Sequence, residues 1–63
     1  MIYEARGHVI GGGDRSAECK TKGDAIRWLH LILENKDVDY VDLLKVGADG
    51  ETLLMRIEKK GTM

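Results

Sequence analysis

The sequence predicts an α+β protein: an antiparallel four-stranded sheet with one helix packed on one face, in the order ββαββ. Three observations carry that prediction. One stretch, 21–35, repeats its apolar residues with helical spacing. Four shorter stretches combine β-propensity with alternating polarity. Two glycine-rich breakers, Gly11-Gly12-Gly13-Asp14 and Gly47-Ala48-Asp49-Gly50, each fall between members of a strand pair. The alternative is βαββ, in which the second strand is an irregular loop.

Residues 2–10 read as the first strand. Tyr3, Ala5, Gly7 and Val9 share one face and are expected to point into the core, with Glu4, Arg6 and His8 on the other. The glycine run supplies positive φ without steric cost, so a turn follows. Residues 15–20 make a shorter strand, with Ala17 and Cys19 inward and Ser16, Glu18 and Lys20 outward. In 21–35, Thr21 is an N-cap and Asp24 stands at the third helical position, as in a capping box. Ala25, Leu29, Ile32 and Leu33 form the apolar stripe, flanked by Ile26 and Trp28; Leu31 lies outside it, near Asp24. Asn35 is expected to close the helix in a left-handed conformation, with Lys36 at the negative end of the dipole.

Residues 38–46 form the third strand, and both of its faces are partly apolar. That predicts either a β-bulge near Asp42-Leu43 or burial on both sides. An Asp-Gly turn leads into a fourth strand, 52–58, with Leu53, Met55 and Ile57 expected in the core and Thr52, Leu54, Arg56 and Glu58 facing away. Tyr40, Leu44 and Leu54 would then form an apolar island on an otherwise charged outer face. Gly61-Thr62-Met63 reads as a frayed tail.

With 63 residues the chain makes one small domain, 1–63, with a marginal core. Ten Lys and Arg against eleven Asp and Glu leave a net charge of −1, which argues against bulk electrostatic binding of nucleic acid. The lone Cys19 cannot form an intramolecular disulfide, so a reducing cytoplasm is expected. No signal peptide is visible, and no membrane segment is expected, because no apolar run exceeds three residues, as in Leu31-Ile32-Leu33.

The motifs that carry chemistry are weak. The glycine run lacks the Lys-Ser/Thr ending of a phosphate loop, and Asp14 would repel a phosphate there. His8, His30 and Cys19 have no metal-ligand spacing, so neither metal nor cofactor is expected. Cys19 and His8 fall on opposite faces by alternation, and a sheet this small offers little pocket volume, so the chain is not expected to be an enzyme. Arg15, Lys20, Lys22 and Arg27, with Lys59 and Lys60 at the other end, are a basic patch for a nucleic-acid accessory role, but acidic residues interrupt it. Asp37, Asp39 and Asp42 are candidates for an acidic contact that mimics phosphate spacing.

The remaining surface is apolar. Trp28, Leu31, Tyr40, Leu44 and Leu54 are the candidate protein interface, since tryptophan and tyrosine are favoured anchors and small domains gain stability by association. The expected function is therefore a non-catalytic protein-binding module, a homodimer that docks on a larger protein, of the inhibitor or regulator kind that phages and mobile elements encode. The alternatives are the nucleic-acid accessory protein and a small-molecule or metal sensor built on Cys19 and the histidines.

Overall fold

Three consecutive glycines turn the chain at the first hairpin. Gly11, Gly12 and Gly13 all have positive φ (97°, 123° and 85°), a region that disfavours other residues. In the computed structural model, which describes residues 1–59, this turn joins β1 (Ile2–Val9) to β2 (Asp14–Cys19). Helix α1 (Lys22–Leu33), β3 (Val38–Gly47) and β4 (Gly50–Glu58) follow. The order is ββαββ, all neighbouring strands are antiparallel, and the sheet runs β2-β1-β3-β4. Lys60 and the Gly61-Thr62-Met63 tail lie outside the described residues.

The helix begins as its sequence requires. The Thr21 side chain accepts a hydrogen bond from the Asp24 backbone N–H at 3.2 Å. Its end differs from expectation. Among the described residues only glycines have positive φ, so Asn35 is not a left-handed cap. Instead the Asn35 side-chain amide donates to the Ile32 carbonyl at 3.0 Å, and satisfies a helix-end acceptor from its side chain.

Helix and sheet meet over β2, β1 and β3. The core comprises Ala5, Ala25, Leu29, Ile32, Val38, Val41 and Leu43, with Tyr3, Val9, Cys19, Ile26, Leu33 and Ile57 packed around it. Gly7 permits the close approach: a Cβ there would lie 2.5 Å from Ile32 Cγ2.

Two bulges decide which side chains face the helix. Between His8 and Val9 the register on β3 skips Asp39, because His8 pairs with Tyr40 and Val9 with Val38. That extra residue places Val38 and Val41, three apart, on the same face. The second bulge inserts Leu54 in β4: Leu43 pairs with Met55 and Leu44 with Leu53. Leu53 therefore joins Leu44, Arg56 and Glu58 on the face away from the helix, contrary to simple alternation. Leu54 lines a cleft with Lys45 and Thr52 on the helix side, so it is not part of an outer-face island with Tyr40 and Leu44.

Strand β4 is an edge that the helix does not reach. Of its expected core residues only Ile57 packs against the core, while Leu53 (53%) and Met55 (38%) are exposed. Central strand β3, in contrast, is buried on both faces, since Leu44 is covered although no helix lies over it. Among the described residues no helix is long and apolar enough to cross a membrane.

Candidate interaction surface

Trp28 and Leu31 occupy the flank of α1 that overhangs the free edge of β2. They are 48% and 52% exposed, and they stand between two clefts. One, of about 420 Å³, is walled by Glu18, Cys19, Asp24 and Arg27; the other, of about 230 Å³, by Arg15, Ser16, Ala17, Ile32 and Asn35. Together they form a groove along β2. Its floor is the edge strand and its roof the helix flank. Among the described residues the backbone of β2 pairs only with β1, which leaves its outer row of N–H and C=O groups to accept another strand.

Of the wall residues from β2, Arg15 and Cys19 were singled out by the sequence for other roles, and Ser16, Ala17 and Glu18 were not singled out as site residues. Their signal was the short, polar second strand combined with an i, i+3 pair of large apolar residues off the helix stripe. Burial and the nearby Asp24 carboxylate push the Cys19 thiol up, which makes it a weak nucleophile.

The outer sheet face carries a different arrangement. The His8 and Tyr40 rings stack with centroids 4.9 Å apart and planes parallel to within 1°, and the Arg56 guanidinium lies 4.3 Å from the Tyr40 ring centroid. His8 Nδ1 and Asp39 Oδ1 are 2.8 Å apart. Arg56 donates to Asp42 at 2.6 and 3.1 Å. Beside this stack, Arg6 donates two hydrogen bonds to the buried Glu4 (3.0 and 3.1 Å) and reaches Glu51 at 2.8 Å. The two carboxylates hold the Arg6 guanidinium above its usual value, Glu51 contributing most. Its long side chain closes over Glu4, so the buried charge has its partner.

The expected interface residues thus separate into three places. Trp28 and Leu31 share the groove. Tyr40 is half-buried in the outer-face stack, and Leu44 is buried beneath that face. Leu54 lies on the β4 edge, at the far side of the sheet from the groove.

The expected acidic contact is occupied from within. Asp37 pairs with Arg15 at 3.1 Å, Asp39 with His8 and Asp42 with Arg56. In the basic patch, Arg15 is committed to Asp37. Lys20, Lys22 and Arg27 are exposed near the start of α1, where Glu18 and Asp24 interrupt them. Cys19 lies on the helix side and His8 on the outer face, so the sheet separates them. Among the described residues no three His, Cys, Asp or Glu side chains gather as metal ligands. The chain has no significant match among protein-family models, curated proteins or solved structures.

Proposed function

We propose that this chain is a non-catalytic protein-binding module that accepts an extended segment of a larger protein along β2, beneath Trp28 and Leu31. The overhang of these two exposed side chains above a free strand edge carries the reading. An added strand would use the outer β2 backbone for affinity, and its alternate side chains would enter the clefts on either side of Trp28. Tryptophan in such a position is a natural anchor. The mixed walls, with Arg15 and Arg27 against Glu18 and Asp24, suit an apolar segment with polar flanks better than a phosphate backbone.

A regulator or inhibitor that occupies one strand-binding surface of a larger partner fits a chain of this size, as does self-association. The single Cys19 suits a reducing, cytoplasmic compartment.

Selection of random peptides on the immobilised protein tests the reading. Binders with alternating apolar residues should emerge, shift the fluorescence of Trp28 and fail on a Trp28→Ala, Leu31→Ser variant. Peptides that bind this variant as well as the parent would refute the groove.

A further inference from the structure

We propose that a second copy of this chain pairs antiparallel with the β4 edge, making an eight-stranded sheet about a two-fold axis through Leu53. This goes beyond the groove, which lies at the opposite edge of the sheet.

The two edges are protected differently. The β2 edge is short, carries Asp14, Arg15 and Glu18, and lies under the helix flank. The β4 edge is nine residues long and has no helix above it, and three consecutive apolar residues in its middle, Leu53, Leu54 and Met55, are all exposed. A long apolar edge is a template for another strand.

The bulge at Leu54 sets which residues share a face, and charge then selects the register. Antiparallel partners must share a face, and a two-fold axis perpendicular to the sheet keeps each residue on its own face. Through their β3 partners, Glu51, Leu53, Arg56 and Glu58 face outward, and Thr52, Met55 and Ile57 face the helix side. Centring the axis on Leu53 sets Leu53 against Leu53, Thr52 against Met55 and Glu51 against Arg56 of the second copy, with Leu54 looped out of both strands. Every pair matches in face, and the Glu51–Arg56 pairing occurs twice. Centring on Met55 also matches faces but sets Glu51 against Glu58 twice, a like-charge opposition. Centring on Arg56 opposes two arginines, and centring on Ile57 leaves the Leu53–Leu54 apolar centre outside the strand overlap.

The Leu53 register also joins charge networks that each chain already holds. Asp42 and Arg56 of one copy would continue into Glu51, Arg6 and Glu4 of the other, alternating in sign along the row. Glu51 and Arg56 are both exposed, so the pairing needs no rearrangement of the core.

A charge-swap experiment with the whole chain tests the register. Light scattering through a micromolar dilution series should give a dimer mass for the parent. Glu51→Arg alone opposes Arg56, and Arg56→Glu alone opposes Glu51, so each should be monomeric. Their equimolar mixture restores both opposite-charge pairs and should recover the dimer mass. Leu53→Lys, at an exposed position that the fold does not require, should also be monomeric. Circular dichroism identifies any variant that has lost its fold, and Leu53→Lys then keeps the test decisive. A monomeric parent, a Glu51→Arg variant that remains dimeric, or a mixture that stays monomeric overturns the proposal. Dimerisation that survives Leu53→Lys and shifts Trp28 fluorescence would place the second copy in the groove instead. Peptide binding to Leu53→Lys is a separate readout, so failure here is distinguishable from failure of the groove.

Discussion

Gly7 shows how one missing Cβ sets the distance between layers. Alanine there would press on Ile32, and overpacking of this kind costs about 1–3 kcal/mol. Gly7→Ala should lower the urea midpoint, and the Gly7→Ala, Ile32→Ala pair should cost less than the sum of the two singles, since they share the contact. Leu29, fully buried in the core, sets the other extreme: Leu29→Ala should cost about 2–5 kcal/mol. Loss well below that range would contradict its packing. Charged residues act more weakly but leave a pH signature. Hydrogen bonds from Arg15 and from His8 hold the Asp37 and Asp39 carboxyls below their ordinary value of 3.8. Each folded value lies below the unfolded one. The stabilisation is therefore present above pH 3.8 and fades as pH falls through the lowered folded values. His8→Gln and Arg15→Gln should each flatten the fall of the urea midpoint below that pH. A slope equal to the parent's would show that these pairs do not hold in solution.

At the scale of the element, the second hairpin uses its glycine differently from a central Asp-Gly turn. Ala48 and Asp49 form the loop at negative φ, and Gly50 follows at 112°. This is the pattern of a type I turn followed by a left-handed residue. Gly50→Val should cost about 1–3 kcal/mol in backbone strain. Gly47→Ala, across the turn in open space and without positive φ, should be nearly neutral in the same melting experiment. Equal effects would contradict the turn geometry. The bulge in β4 is an element-scale device as well. One inserted residue moves Leu53 to the outer face and puts Glu51 and Arg56 on the same side, which makes the strand complementary to itself.

For the whole molecule, the consequence of the sheet order is two edges, unpaired among the described residues, with different chemistry. One is polar and roofed by Trp28 and Leu31; the other is apolar and open. If the β4 edges pair, association stabilises the native state by mass action, and Tm should rise with protein concentration for the parent but not for Leu53→Lys. A concentration-independent Tm in both would count against the paired sheet. The groove remains outside that assembly, so a dimer would present two grooves at the outer ends of one continuous sheet.

The sequence by itself determined the helix, three of the strands and the glycine turns, because helix periodicity, the Thr21 cap and turn chemistry are local properties; that 14–19 pairs as a strand instead of looping was decided by its partner β1. It also identified the face of β1 and of the helix that packs, where alternation and the 3.6-residue period run unbroken. Leu31 was legible as lying off the helix stripe, and Trp28 as lying at its flank, for the same reason. What only the tertiary structure decided was strand order and the two bulges. Local pattern carries no information about which strand lies at an edge. An inserted residue inverts the alternation beyond it, and the insertion is defined only against a partner strand. Hence Leu53 and Met55, inward by pattern, are exposed on an edge beyond the helix, while Leu44 is buried on a face that no helix covers. The two docking edges emerge there, because an edge is a property of the assembled sheet.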